Sequence, residues 1–392
     1  MHILQLTPYY APAYAFGGVV RAVEGLATAL AARGHRITIL TTDALDQRRR
    51  HSGPLDETRG DIRILRCRNA SVWLRGGLNL STPRGLRRAA KAILADVDVL
   101  HLHELRTAEN LLVAPVAAAM NVPIALSPHG TLNLGTGRSR LKRGWDRLLS
   151  RRLLASIDHI IALTETERVE AERLWAALGS SRQPVTSVIP NGVNLREFDS
   201  LPAVDDFRAR YGLGTEPAVL YMGRLQARKG VDVLLRAFLA ADVSDSRLLI
   251  AGPDEGMLRA LRKLAAGDER IVFAGYLDGS ERLGALSAAD AFALPAVGEG
   301  QSIAVLEALA AGLPVLLSPG CNMDEVAEAG AGFVAEATVA AFADKLRLLL
   351  RDEQARQQMG AQARLLARER YSWTRAAADM ERVYAGLLSR SR

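Results

Sequence analysis

Two stretches of the chain repeat one pattern: short apolar runs of strand length, each followed by a segment whose apolar residues recur at helical spacing. HILQLT opens as a strand, Val19, Val23, Leu26 and Leu30 then recur every three or four residues, Gly34 stops that helix, and RITILTT is the next strand. DIRILRC, DVDVLHLH, VPIALS, DHIIALT and TSVIP continue the series. At residues 190–206, PNGVNLREFDSLPAVDD, turn residues interrupt it. It restarts with AVLYM, RLLIAG, RIVFAG, AFALP and PVLLS, separated by helical segments such as 231–240 and 302–311. Alternation of this kind demands a parallel sheet with helices on both faces. A chain of 392 residues is long for one core and suited to two. We therefore expect an α/β protein of two Rossmann-like, doubly wound parallel-sheet domains, over 1–195 and 196–370. A final helix over 371–392 carries Trp373, Ala377, Met380, Val383, Tyr384 and Leu387 on one packing face.

Open parallel sheets bind ligands beyond the carboxyl ends of their strands, so the active site is expected in an inter-domain cleft lined by those loops. The N-terminus, MHILQLTPYY, has no signal-peptide pattern, and no run of about 18 apolar residues occurs. A cytoplasmic protein is the expectation. Cys67 and Cys321 are far apart and in no metal-like spacing, which makes them reduced filler thiols. Charge is uneven: residues 1–195 carry 26 Lys/Arg against 16 Asp/Glu, while residues 196–392 carry 24 against 27. An anionic partner is therefore to be sought on the first half.

GRLQARKG, residues 223–230, gathers Arg224, Arg228 and Lys229 between a strand and a helix start. Cations converging on a helix N-terminus make an anion site, suited to a diphosphate. The loop lacks the order and the hydroxyl of a Walker A motif, so side chains and not a metal are expected to neutralise the anion. In PAVGEGQSIAVLEALAAGLPV, Glu299 lies in a glycine-flanked loop and Glu307 is the one charge in an apolar helix that Gly312 and Pro314 terminate. A carboxylate so placed needs a cation or hydroxyl donors, and vicinal sugar hydroxyls match its two oxygens.

GRxxxxKG followed by EGxxxxxxEAxAxGxPV resembles the donor-site signature of the retaining GT-B glycosyltransferases of family 4. The resemblance covers essentially the whole chain, including FGG near the start, SPHG at 127–130 and PNGV at 190–193. It implies a hexosyltransferase that moves sugar from a nucleoside diphosphate donor, of UDP or GDP type, to a lipid-linked or polysaccharide acceptor in cell-envelope, lipopolysaccharide-like or exopolysaccharide assembly. It also implies an acceptor-binding first domain, a donor-binding second domain and a last helix that returns to the first. Position by position, Arg224 and Lys229 would hold the diphosphate and Glu307 the ribose. Glu299, with the amides of Gly300, Gln301 and Ser302 after it, would meet the transferred sugar. Gly17 and Gly18 would let backbone approach the leaving phosphate. His129 would face the sugar near the reacting carbon, and the base would fall near Gly275, Tyr276 and Leu277. The family often carries an aromatic residue after EG; Gln301 and Ser302 stand here, so sugar-pocket shape does not carry over. No cofactor or metal is implied. Retention with front-face attack fits the lack of an obvious carboxylate nucleophile in the first half.

Other signals compete. Asp96-Val97-Asp98 spells the metal-binding DxD pattern but precedes a strand, which suits turn residues. His101 and His103 share a strand face but lack a clear third metal ligand; His103 and Glu104, at that strand's carboxyl end, are acceptor-side candidates. Residues 138–153 form a basic amphipathic helix, with Leu141, Trp145, Leu148, Leu149 and Leu153 on one side and Arg140, Arg143, Arg147 and Arg151 on another. Such a helix either packs on a core or lies on an anionic membrane, and we expect peripheral attachment at the inner face of the cytoplasmic membrane. A nucleic-acid binder would explain the charge but not the two glutamates, and aromatic platforms among the Lys/Arg are lacking. A nucleotide-sugar epimerase or a phosphorylase on the same fold is the alternative enzyme.

Overall fold

Eight strands build the N-terminal sheet: β1 His2–Leu6, β2 Arg36–Thr42, β3 Asp56–Arg59, β4 Ile62–Cys67, β5 Val99–His103, β6 Ile124–Ser127, β7 His159–Ala162 and β8 Val185–Val188. Their order is β3-β4-β2-β1-β5-β6-β7-β8, parallel throughout except for the β3–β4 edge pair. The computed structural model describes residues 1–71, 74, 80–132, 139–180 and 183–390. Six strands form the second sheet: β9 Ala218–Met222, β10 Arg247–Ala251, β11 Ile271–Gly275, β12 Ala291–Leu294, β13 Val315–Leu317 and β14 Gly332–Val334. They lie in the order β11-β10-β9-β12-β13-β14, all parallel. This is the α/β, doubly wound class that the alternating pattern predicts.

The chain divides into Met1–Gly192 with Trp373–Arg392, and Val193–Ser372. The first unit includes the last helix, Trp373–Arg390, because Ala376, Ala377, Met380, Tyr384 and Leu387 are buried with Ile3, Val23 and Ile37 in one apolar cluster. Tyr384 also places its hydroxyl 2.7 Å from His101 Nδ1. Cys67 and Cys321 are buried free thiols.

Both sheets reverse their winding at one point. In the first unit β1 lies between β2 and β5, and in the second β9 lies between β10 and β12. Helices cross opposite faces on the two sides of such a point, so the loops leaving the two central strands splay apart and leave a crevice. The loops after β9 and β12 are residues 223–230 and 295–302; those after β1 and β5 lead to Gly17 and to Glu104.

Candidate active site

In the second unit the loops after β9 and β12 meet. Gly230 adopts φ +66°, and a Cβ there would stand 2.1 Å from the Pro295 carbonyl oxygen, so only glycine permits the approach. The Val297 amide donates to the Arg228 carbonyl at 2.7 Å and closes the same junction. Lys229 is thereby buried, with Nζ 2.7 Å from Glu299 Oε2. Arg228 lies 3.1 Å from Glu299 Oε1, yet among the described residues no donor is aligned for a hydrogen bond to that buried oxygen. Arg224 pairs with Glu255 at 3.0 Å. Three cations thus face two carboxylates, which leaves one positive charge in surplus. Burial acts upward on Glu299, but Lys229, Arg228 and Arg224 together outweigh it and hold the carboxyl below its usual range. Burial lowers Lys229, and Glu299 offsets only part of that.

The Glu299 backbone is fixed from the other side. Its amide donates to the Gly320 carbonyl at 2.8 Å, and Asn322 Nδ2 donates to its carbonyl at 2.6 Å. Gln301 and Ser302 are buried beside it, and Gly300 is half-buried. Glu307, buried on the helix Ile303–Ala311, finds the cation its surroundings require in Arg282, 2.7 Å away. Arg282 is itself buried and reaches Glu197 at 2.7 Å. At the end of β11 Gly275 takes φ +73°, and past it Tyr276 is exposed and Leu277 is buried.

In the first unit Gly17, at φ +102° and ψ −161°, caps the helix Gly18–Ala32. That helix, Val231–Ala241 and Ile303–Ala311 all begin without a side-chain cap. Thr107 and Thr164, in contrast, cap the helices after β5 and β7 with their hydroxyls. Uncapped amides next to Gly17, Lys229 and Glu299 are the donors an anion requires.

His103 and His129, at the ends of β5 and β6, stand 2.9 Å apart through Nδ1 and Nε2. Glu104 and His129 both take left-handed backbone, at φ 61° and 54°. Burial depresses His129 to about 4 and keeps its ring neutral. Glu167 anchors the turn: Leu163 donates its amide to Oε2 at 2.7 Å and Gly130 donates to Oε1. Burial raises this carboxyl to about 7 in spite of those two donors.

The family described as Glycosyltransferase Family 4 matches residues 16–197, and Glycosyl transferases group 1 matches residues 204–366. The phosphatidyl-myo-inositol mannosyltransferase of Mycobacterium leprae is 31% identical over 388 residues, covering 94% of this chain and 92% of that protein. The chain belongs to the family 4 glycosyltransferases. A GDP-mannose-dependent alpha-(1-6)-phosphatidylinositol dimannoside mannosyltransferase of Mycobacterium tuberculosis is 26% identical, covering 97% and 95%. Among solved structures, sucrose-phosphate synthase from Thermosynechococcus elongatus aligns with a TM-score of 0.76 at 21% identity, covering 99% of both chains, and shares the GT-B fold.

Within this glycosyltransferase the second unit brings Lys229, Glu299, Gly300, Gln301 and Ser302 together, and Arg224, paired with Glu255, acts electrostatically on Glu299. Lys229 and Glu299 form one ion pair. One expectation needs correction. The pattern of the basic segment placed five apolar residues on one side; instead Leu141, Leu148 and Leu149 are exposed while Leu153 is buried. Asp146, the segment's one acid, turns inward to a buried bidentate pair with Arg106, at 2.9 and 2.7 Å, and sets which side faces out. Arg138 lies outside the described residues. Ser127 and Tyr384 occupy both ring nitrogens of His101. The DxD aspartates are similarly engaged, Asp98 accepting the His2 amide at 2.7 Å and Asp96 pairing with Arg36.

Sequence reading missed Arg282, Glu167 and Arg106. The one available signal was at Glu167: Thr164 and Glu167 have the spacing of a capping box. Thr164 does accept the Glu167 amide at 3.2 Å, but the carboxylate serves the neighbouring loops instead.

Proposed function

We propose that this glycosyltransferase is retaining and metal-independent, and moves a hexose from a nucleoside diphosphate sugar to a lipid-linked or saccharide acceptor at an anionic membrane surface. The observation that carries the donor assignment is the buried Lys229–Glu299 pair at the sheet's winding reversal, with Glu299 Oε1 lacking an aligned donor. A diphosphate competes for Lys229, Arg228 and Arg224, and the released carboxylate then accepts sugar hydroxyls. Glu307 takes the ribose, Tyr276 and Leu277 border the base, and Gly17 and Gly18 approach a phosphate. His129 meets the transferred sugar, and His103 and Glu104 belong to the acceptor-binding unit.

Cleavage of the anomeric bond places negative charge on the leaving diphosphate and positive character on the sugar. Cations and helix amides fixed in advance stabilise that charge as it forms. The departing phosphate oxygen takes the acceptor's proton on the face it leaves, which preserves the anomer. The names of the two mannosyltransferases make GDP-mannose the first donor to test and a phosphoinositide lipid the first acceptor.

A thermal-shift panel of GDP, UDP, ADP and their sugars, run with EDTA, tests the donor site. A nucleotide at 100 times its dissociation constant adds about 2.7 kcal/mol to native stability. One base should stabilise the wild type and leave a folded Arg224→Ala/Lys229→Ala variant unmoved; equal shifts in both proteins would refute the assignment. Product anomer analysis by NMR tests retention, and turnover that depends on added divalent cation would exclude metal independence. The described helices include none long and apolar enough to cross a membrane. Surface attachment rests instead on the exposed Leu141 and Leu148 among Arg140, Arg143 and Arg147.

A further inference from the structure

Two imidazoles joined by one hydrogen bond share one proton, and which ring supplies it decides what the second ring offers to a ligand. His103 Nδ1 and His129 Nε2 are 2.9 Å apart, and the rings stack with centroids 5.2 Å apart. The contact is built into the fold. Adjacent strands β5 and β6 are each followed, within two residues, by a left-handed non-glycine residue, Glu104 and His129. The Glu104 amide donates to the Ser127 carbonyl at 2.9 Å, and Asn110 Nδ2 donates to the Glu104 carbonyl at 2.5 Å. Thr131 Oγ1 accepts from the Leu105 amide at 3.3 Å and donates to the Pro128 carbonyl at 2.6 Å. Strained backbone held so firmly on both sides fixes the ring pair.

The remaining nitrogens decide the direction. Among the described residues His103 Nε2 is buried and has no hydrogen-bond partner, and the His129 ring makes no hydrogen bond besides the one to His103 through Nε2. If His129 donated, His103 would bury an N–H with no acceptor. If His103 donates, only a lone pair is left bare, which is the less costly orphan. His129 then carries its own hydrogen on Nδ1, at the carboxyl end of the sheet.

We propose that His103 is a positioning residue that locks His129 in the Nδ1–H tautomer, so that a neutral imidazole presents a hydrogen-bond donor to an oxygen of the bound donor sugar. The ligand half of this statement rests on the reading that His129 meets that sugar; the tautomer half does not. His103 thereby moves from an acceptor-side candidate to a partner of His129. A neutral ring donates without adding a charge that sugar binding would have to desolvate, and a wrong tautomer turns the donor into an acceptor.

The test uses the full chain labelled with ¹⁵N-histidine. Long-range ¹H–¹⁵N correlations should show His129, assigned with His129→Gln, protonated on Nδ1 in the wild type. His103→Asn keeps an N–H near the place of Nδ1 and should retain both this signature and kcat within about threefold. His103→Leu should shift His129 toward the Nε2–H form and lower kcat at least tenfold, with the donor KM little changed. Should His103→Leu fail to fold, His103→Met supplies the same comparison. An Nε2–H ring in the wild type, or an unchanged ring in a folded His103→Leu, overturns the proposal. Full activity in His129→Gln would instead sink the sugar contact and leave the tautomer result standing.

Discussion

Glu167 shows how one buried side chain reports on the loops it holds. Its carboxyl accepts amides from both Leu163 and Gly130, and burial still raises it from 4.5 to about 7. The native state therefore retains a proton that the unfolded chain releases. The contribution of Glu167 to stability should be fullest below pH 4.5, fall as the pH rises toward 7, and be lost above that, roughly 3 kcal/mol in total. Glu167→Gln should remove that slope, so the difference in urea midpoint between wild type and variant should change across pH 4.5–7; a constant difference would contradict the assignment. Arg282 invites the opposite experiment. Arg282→Leu strips Glu307 of its cation and should cost about 3 kcal/mol, most of it recovered when Glu307→Gln is added. Equal losses in single and double variants would mean that the pair is not what Arg282 supports. Glu299 and Lys229 stood out in the sequence because a carboxylate in a glycine-flanked loop and a lysine at a helix start each need a charged or polar partner. Arg282 did not: on the helix Gly279–Ala288 it reads as one more surface charge, and only folding brings that helix under Ile303–Ala311.

At the level of elements, most strands found in the sequence are central ones whose apolar runs are buried, and the edge strands β8 and β11 were found as well. The two missed, β3 and β14, are edge strands, of sequence DETR and GFV, which need no such run. The basic segment misled for a related reason. Its leucines have helical spacing, but Asp146 and Ser150 hold the inward side through Arg106, and the exposed leucines follow from that choice. Loop geometry was legible where glycine forces it. Gly230→Ala should disturb the junction of the β9 and β12 loops, because its Cβ meets the Pro295 carbonyl in addition to a left-handed φ. Gly267→Ala, at φ +81° with nothing within 4 Å, has the backbone cost alone, about 1 kcal/mol. We expect a loss of at least about 2 kcal/mol and tenfold weaker nucleotide binding for Gly230→Ala, against unchanged binding for Gly267→Ala, by calorimetry. Matched behaviour of the two variants would remove the role given to the junction.

For the molecule as a whole, alternation of strand and helix predicted two doubly wound sheets. Strand order was beyond it, since pairing partners lie far apart in sequence and only the assembled sheet shows which strands are central. Net charge was legible but its use was not. The excess of cations in residues 1–195 has no single sink in the described structure; it is spread over surface that includes Arg140, Arg143, Arg147, Arg151 and Arg152 beside Leu148, which is 78% exposed, and Leu141, 65% exposed. An unspecific polycation and a membrane-seated helix differ in how they respond to substitution. Electrostatic attraction contributes about 1 kcal/mol per Lys or Arg near an anionic surface and weakens with salt, whereas inserted leucines do not respond to salt in that way. Removing two leucines that each insert partly should cost about 2 kcal/mol, or roughly thirtyfold in vesicle affinity. We therefore expect Leu141→Ser/Leu148→Ser to bind vesicles containing 30% anionic phospholipid about thirtyfold more weakly while keeping the wild-type salt slope. Arg140→Ser/Arg143→Ser/Arg147→Ser should flatten the slope. Undiminished binding by the leucine variant in co-sedimentation would mean that charge alone holds the protein at the surface, and that the helix does not enter it.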